Sequence, residues 1–204
     1  MDMTATTTPK TPVTEVKLRA DARRNRKRIL EAAREQFSQR GLDVHVDRIA
    51  RAAGVGVGTV YRHFPNKEDL LQALVDERFA FFAEVARNAL DDPDPWNGFR
   101  TMMRESARVT AEDRAVSEAM DQQPGVCECS ADKTRLREYG AEVVGRAKAA
   151  GDLRADFEVD DIGSLMCGLG RATAQRDSGP PPMDWERYIE ILLAGLRSPA
   201  GPAT

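Results

Sequence analysis

At 204 residues, 41% of them hydrophobic, the chain is long enough for one large domain or for a small domain followed by a medium one. It has no apolar run near the ~20 residues of a membrane span, no apolar secretory signal at its start, and three cysteines, an odd number that makes no disulfide framework. These properties exclude a membrane protein and a disulfide-rich secreted domain, so we expect a cytoplasmic protein.

Charge is distributed unevenly along the chain. The net charge is −3, but residues 1–67 carry +7 and residues 68–204 carry −10. This asymmetry indicates an N-terminal part suited to a polyanion and a C-terminal part that repels one, although a solvated charge run is the alternative. The basic residues are densest at Arg19, Arg23, Arg24, Arg26, Lys27 and Arg28.

The first predicted element is a disordered basic arm over residues 1–22, which are rich in Thr and Pro and show no apolar period. A helix is predicted from Arg23, and Gly41 ends it as a C-terminal glycine does. Its apolar residues recur at the spacing of one buried face: Ile29, Leu30, Ala33 and Phe37.

A helix-turn-helix layout follows in residues 46–67. A short helix with one apolar face begins at Val46 and ends at Gly54, and a second short helix is predicted from Val57 to His63. Two such helices around a glycine-containing turn are typical of proteins whose second helix enters the DNA major groove. The sequence therefore predicts a DNA-binding regulator.

The second of these helices suits a groove because it begins with small residues. A helix approaches base edges only where its leading residues let the backbone in. Thr59 offers a hydroxyl and a methyl group to a base edge, and polar groups beyond it can reach phosphates, which fix register without reading sequence. For Tyr61, packing in a small three-helix core is the alternative; for Phe64 we expect that packing. The candidates from this stretch are Gly56, Val57, Gly58, Thr59, Tyr61, Arg62, His63 and Lys67.

The rest of the chain reads as further helices. The break at Phe64-Pro65-Asn66 precedes a long fourth helix that reaches about residue 90. No window favours a strand, so the predicted fold class is all-α with about nine helices, the first three of them forming the helix-turn-helix domain. The remaining predicted helices cover residues 96–111, 112–121, 130–150, 158–176 and 184–197.

Three motifs follow one another in residues 25–75: Ile29-Leu30…Ala33…Phe37…Gly41, then Ile49-Ala50…Ala53-Gly54-Val55, and then Gly58-Thr59-Val60-Tyr61-Arg62-His63-Phe64 leading to Lys67…Leu70-Leu71. In their order and spacing these motifs resemble the TetR family of bacterial transcriptional regulators. The resemblance implies a homodimer that binds a palindromic operator and blocks transcription until a small molecule enters the C-terminal domain. Where the family often has Thr or Ser before the second helix, this chain has His45 and Val46, which the resemblance adds to the candidate DNA-binding residues.

The last two predicted helices supply a candidate dimer interface. Each has a broad apolar stripe, and the first contains Gly163, Gly168 and Gly170, which permit close approach. Two such helices per chain can form a four-helix interface between symmetric subunits. The alternative is that both stripes are buried within their own subunit. The candidate interface residues are Ile162, Leu165, Leu169, Trp185, Tyr188, Ile189, Leu192, Leu193 and Leu196.

A candidate ligand pocket is placed among the C-terminal helices. Methionine suits adaptable apolar binding, which predicts a mostly apolar ligand with a few polar groups. An ordinary core is the alternative for each residue. The candidates are Phe99, Met102, Met103, Met120, Tyr139 and Met166.

Two further motifs do not support a cofactor or a metal. The three glycines at 54, 56 and 58 lack the third spacing of the dinucleotide fingerprint and follow a helix rather than a strand. Cys127 and Cys129 would need carboxylates or Cys167 to complete a zinc site, since both histidines lie in the DNA-binding half. A thiol sensor stays open there. We predict no cofactor and no metal.

These observations predict a DNA-binding transcriptional regulator and not an enzyme, with operator DNA and a second copy as partners and no membrane. The resemblance further implies that it is a repressor with a small-molecule effector. The predicted domains are a helix-turn-helix domain over residues 23–82, with its motif at about 45–64, and a ligand-binding and dimerisation domain over 83–197, before a disordered tail, 198–204. The alternative is a helical enzyme or ligand-carrier bundle that does not bind DNA, with a basic N-terminal face for an acidic partner.

Overall fold

The computed structural model describes residues 12–122, 131–173 and 182–198. These residues form nine α-helices and one isolated antiparallel bridge, between Leu153 and Arg197, so the predicted all-α class is confirmed. None of the described helices is long and apolar enough to cross a membrane. The helices are α1 Pro12–Arg40, α2 Val46–Ala53, α3 Val57–His63, α4 Lys67–Ala89, α5 Pro95–Glu112, α6 Arg114–Gln122, α7 Ala131–Ala149, α8 Val159–Thr173 and α9 Trp185–Leu196.

The first helix is longer than predicted. α1 already begins at Pro12, so residues 12–22 are helical. The prediction that these residues are disordered was therefore wrong. Proline is tolerated in the first turn of a helix, and no glycine or further proline follows before Gly41. Extending a formed helix adds a hydrogen bond per residue, so it can continue beyond the part that packs against a core. Among residues 17–40, the part of α1 whose side-chain burial is described, the first fully buried side chain is Ile29.

The chain divides into two compact units, Met1–Lys67 and Glu68–Thr204. The predicted domain limit at residue 82 stays a prediction. In the N-terminal unit, the apolar faces of α1, α2 and α3 form the core, and its most deeply buried members are Ile29, Leu30, Phe37, Ile49 and Val60.

The core of the C-terminal unit is built mainly by α5, α7, α8 and α9. Asp94 caps α5, since its carboxylate accepts the backbone N–H groups of Trp96 at 2.9 Å and Asn97 at 3.2 Å. Phe99, on the buried face of α5, lies edge-on to Phe157 with ring centroids 5.7 Å apart. At Gly98 a Cβ atom would lie 2.5 Å from the carbonyl oxygen of Ala89, so only glycine fits there.

Candidate nucleic-acid interface

The turn between α2 and α3 is fixed by backbone hydrogen bonds. Gly54 has φ 63, a left-handed conformation that glycine adopts without a steric penalty. Its N–H donates to the carbonyl of Arg51 at 3.1 Å, and the N–H of Val55 donates to the carbonyl of Ala50 at 3.0 Å. These bonds close the C-terminus of α2 and set the direction in which α3 begins.

An arginine from α1 lies against this turn. A Cβ atom built on Gly54 would come within 2.6 Å of Nη2 of Arg28. The guanidinium group therefore covers the end of α2, where a positive charge is favourable because of the helix dipole. A second arginine, Arg26, lies 5.4 Å from the ring centroid of Phe64, just after α3. Sequence reasoning placed both arginines only in a basic run.

The start of α3 is bare. Gly56 and Gly58 are exposed, and a Cβ atom at either would have no neighbour within 4 Å. Gly56 has φ −71, so the backbone conformation does not require glycine there. The N–H of Thr59 donates to the carbonyl of Gly56 at 2.8 Å and begins the helix. The space above the first turn is therefore open to an approaching surface.

The remaining candidates of the helix-turn-helix motif border this open turn in sequence. Tyr61 is 48% exposed and Arg62 is exposed, whereas Val57 and Thr59 are half-buried. Phe64 is 4% exposed and packs in the core of the unit, as expected. At the start of α2, exposed His45 occupies the N-cap position without a side-chain cap hydrogen bond, and Val46 is half-buried.

His63 is the last residue of α3, and Lys67 is the first residue of α4. Burial lowers the pKa of His63 from its ordinary value of 6.5, and the positive charges of Arg62 and Arg26 lower it further. Its Nε2 atom is buried and has no hydrogen-bond partner in the described part of the chain. Lys67, the first residue of α4, holds its ammonium 5.8 Å from the ring centroid of Phe37.

The predicted ligand residues occupy the interior of the C-terminal unit. Phe99, Met102 and Met103 are at most 2% exposed, and Met166 is 8% exposed, all in one hydrophobic cluster. Tyr139 is partly buried against that cluster. Met120 takes another position: its sulfur lies 4.0 Å from the guanidinium of Arg78.

A surface recess of about 230 Å³ lies instead on α5. It is lined by Arg100, Thr101, Arg104 and Glu105, and none of these is a predicted ligand residue.

The predicted dimer interface stays a prediction. Within one subunit, Leu169, Ile189, Leu193 and Leu196 are at most 9% exposed and belong to the core of their own unit. Ile191, which is not among the predicted interface residues, is 55% exposed on α9. The candidates that keep partial exposure are Ile162, Leu165, Trp185, Tyr188 and Leu192.

The glycines of α8 also serve contacts inside the subunit. A Cβ atom at Gly168 would lie 3.0 Å from the hydroxyl of Tyr188, and one at Gly170 would lie 3.5 Å from Thr110. Gly163 has no neighbour within 4 Å of such an atom. The missing side chain therefore permits a close approach at Gly168, whereas a Cβ atom at Gly170 would make ordinary van der Waals contact.

The cysteines add no site to the described part of the chain. Cys167 is a free, exposed thiol, whereas Cys127 and Cys129 lie outside the described residues.

Both units match known protein families. Residues 29–74 match the family model of bacterial regulatory proteins of the tetR family, and residues 94–198 match that of the SbtR-like transcriptional regulator C-terminal domain. An HTH-type transcriptional regulator of Staphylococcus aureus is 37% identical over 76 residues, which are 37% of this chain and 41% of that protein. The match with such curated relatives thus spans less than half of their length.

Solved structures match over most of the chain. The TetR transcription regulatory protein from Mycobacterium vanbaalenii is 33% identical, with a TM-score of 0.63 over 88% of this chain and 99% of that one. A TetR transcriptional regulator from Streptomyces coelicolor is 28% identical, with a TM-score of 0.62 over 86% and 99% of the two chains. With its helix-turn-helix unit and a matching C-terminal unit, this chain belongs to the TetR family of bacterial transcriptional regulators.

Proposed function

We propose that this regulator is a repressor that binds a palindromic operator as a homodimer and leaves it when a small-molecule effector binds the C-terminal unit. The observation that carries the proposal is the open first turn of α3, where Gly56 and Gly58 expose backbone with no side chain above it. A backbone this accessible can enter a major groove. Because it acts on DNA, we place the protein in the cytoplasm.

On this proposal the residues around α3 divide into two roles. Thr59 and Val57 meet base edges, with a hydroxyl and with methyl groups respectively. Tyr61, Arg62 and Lys67 meet phosphates, and His63 adds a polar edge beside them. His45 and Val46 approach the DNA backbone. The side chain of His45 makes no N-cap hydrogen bond, so backbone N–H groups at the start of α2 are left for an anion such as a phosphate.

The proposed dimer uses the apolar edge of α8 and α9 that the subunit leaves partly exposed. Exposed Ile191 and half-buried Leu192 are the central members on α9. Apolar side chains at a surface are stabilised when a symmetric copy covers them. The substitution Ile191→Glu should convert a dimer into a monomer at micromolar concentration in analytical ultracentrifugation, while the circular dichroism spectrum stays helical.

The proposed effector enters near the cluster around Met102 and Met103, and it favours a conformation of the C-terminal unit that does not bind DNA. α4 transmits the change, because this helix begins at Lys67, the last residue of the N-terminal unit. An effector shifts this equilibrium only by its difference in affinity for the two states.

The direct test is a gel-shift titration of the purified full-length protein against the DNA upstream of its own gene, with unrelated DNA of equal length as competitor. We expect retention of the upstream fragment at a protein concentration at least a hundredfold below that needed for the competitor. Equal retention of both fragments, or of neither, would favour the helical enzyme or carrier.

A further inference from the structure

The N-terminal half of α1 carries a dense positive charge. Residues 17–28 contain seven basic residues and one acidic residue, Asp21, so their net charge is +6. All seven basic side chains are exposed. Like charges four residues apart destabilise a helix, so a polyanion that relieves their repulsion is favoured as a partner. The stretch has three such pairs: Arg19 and Arg23, Arg23 and Lys27, and Arg24 and Arg28.

Three of these basic residues continue the buried face of α1 beyond the core. Counting back from buried Phe37 in steps of four and three residues leads through buried Leu30 and then to the three arginines. Residues at these spacings lie on one side of a helix with 3.6 residues per turn. They form one exposed surface, the arginine face: Arg19, Arg23 and Arg26.

One contact shows where the arginine face lies. The guanidinium carbon of Arg26 is 5.4 Å from the ring centroid of Phe64, the residue that follows α3. Arg23 precedes Arg26 by about 4.5 Å along the axis of α1, and Arg19 precedes it by about 10 Å. Within the N-terminal unit, the arginine face therefore begins beside the C-terminal end of the helix proposed to enter the groove.

Arg23 is the member of the arginine face that is available to a new partner. Its side chain is exposed and has no hydrogen bond or ion pair within the described part of the chain. The next residue, Arg24, projects about 100° further round the helix, away from this face, and forms an ion pair with Asp21. Two adjacent, exposed arginines thus differ in direction and in partner.

We propose that the arginine face of α1 is a second DNA-contacting element, in which Arg23 binds a backbone phosphate next to the groove that α3 enters. A guanidinium binds phosphate oxygens through charge-assisted, bidentate hydrogen bonds. The charges of Arg19 and Arg26 strengthen the attraction on either side. This inference rests on the proposed DNA binding and extends it from the helix-turn-helix motif to the helix that precedes the motif.

The helical state of this segment favours such a contact. Arg23 already lies in α1, and less than two turns later Ile29 fixes the helix in the core of the N-terminal unit. Binding a phosphate therefore requires little further ordering of the backbone. Since phosphates carry no sequence information, the contact strengthens binding to any duplex and leaves the choice of bases to α3.

The test compares the full-length variants Arg23→Gln and Arg24→Gln, which remove the same charge from adjacent positions. Glutamine has nearly the helix propensity of arginine, so both should stay folded. Fluorescence anisotropy at several salt concentrations measures their affinity for the shortest upstream duplex that the unsubstituted protein retains, and for an unrelated duplex of equal length.

We expect Arg23→Gln to weaken binding to both duplexes by about fivefold or more, and to lower the slope of log affinity against log salt by about 1 per subunit. Arg24→Gln should change both quantities less than half as much, because it alters only the long-range attraction. Equal losses in the two variants, or a loss confined to the upstream duplex, would overturn the proposed phosphate contact.

Two further measurements separate a direct contact from a structural effect. Arg23→Lys keeps the charge but loses the planar fork, so the salt slope should be retained while part of the affinity is lost. The free energy of unfolding in urea should not fall in Arg23→Gln, since this change removes like-charge neighbours on both sides. A slope lowered as much in Arg23→Lys as in Arg23→Gln, or a destabilised Arg23→Gln, would contradict the inference.

The outcome for the unsubstituted protein distinguishes this inference from the proposed function. If that protein retains no upstream DNA in the gel shift, the proposed function fails and the inference fails with it. If the DNA is retained and Arg23→Gln binds it as tightly as the unsubstituted protein does, only the inference fails, and α3 remains the proposed DNA-binding element.

Discussion

The guanidinium of Arg28 occupies the space where a side chain at residue 54 would begin, since a Cβ atom on Gly54 would lie 2.6 Å from Arg28 Nη2. The basic residue of α1 and the glycine in the turn of the helix-turn-helix motif therefore pack against each other. The left-handed φ of 63 at Gly54 adds a second, independent reason for glycine.

We predict that Gly54→Ala destabilises the protein by about 1–2 kcal/mol through left-handed strain, with a further cost from displacing Arg28. In an Arg28→Ala background the displacement disappears, so Gly54→Ala should then cost less than it does alone. Urea denaturation of the four proteins of this double-mutant cycle measures the difference. Strictly additive costs would contradict the contact.

Gly58→Ala separates folding from DNA binding. Alanine favours a helix by about 1 kcal/mol over glycine, and a Cβ at Gly58 meets no neighbour within 4 Å, so stability should rise. If the bare turn enters a groove, operator affinity should nevertheless fall by at least tenfold. The matched control is Gly145→Ala on α7, also exposed with no neighbour, which should stabilise without changing affinity. Equal operator affinity for both variants would argue against groove entry by α3.

Lys67→Ala should weaken binding to all DNA sequences alike and lower the slope of log affinity against log salt by about 1 per subunit, because a phosphate contact releases counterions. A fluorescence anisotropy titration at several salt concentrations measures both quantities. Lys133→Ala, at an exposed position of α7, is the control and should leave the slope unchanged. An unaltered slope in Lys67→Ala would show that its ammonium contacts no phosphate.

Thr59→Ala should instead relax base preference while affinity for unrelated DNA stays nearly constant. The expected loss at the contacted base pair is about 1–3 kcal/mol of discrimination, as for other lost base contacts. Selection from a randomised operator library reveals the preferred bases of each protein. Recovery of the same preferred sequence from both proteins would exclude this role.

The lowered pKa of His63 predicts that folding stability depends on pH. Because its pKa in the folded state is below the ordinary value of 6.5, the unfolded chain binds a proton more readily as pH falls below that value. The free energy of unfolding should therefore decrease on acidification from pH 7.5 towards the lower folded pKa. Urea denaturation at pH 7.5 and pH 5.5 measures this decrease. It should be smaller in His63→Gln than in the unsubstituted protein, and it should be the same in His45→Gln as in the unsubstituted protein. Equal decreases in both variants would contradict it.

The short helices were predictable because their signals are local. Val57 and His63 bound the third helix both in the sequence pattern and in the structure, and Gly54 ends the second. The start of α1 was not predictable from its apolar face, because the helix continues beyond that face to Pro12. Helical continuation beyond the apolar face leaves no periodic apolar pattern to read.

Tertiary placement limited the prediction of the other sites. Leu169 and Ile189 have the same apolar pattern as half-buried Leu165, and only the folded unit shows which of them faces its own core. Arg78 is a cation inside an apolar stripe of α4, and its hydrogen bond to Ser117, which is remote in sequence, could not be predicted from that stripe. Local patterns therefore predict elements better than they predict surfaces.

The bare first turn of α3 has a consequence for the kind of operator that suits this protein. A helix that presents two glycines has few side-chain donors and acceptors with which to distinguish one base pair from another. Discrimination must then depend more on how readily the duplex itself bends, twists and narrows under the protein. Flexible pyrimidine–purine steps at positions that no side chain touches should be as important to this regulator as the base pair that Thr59 is proposed to contact.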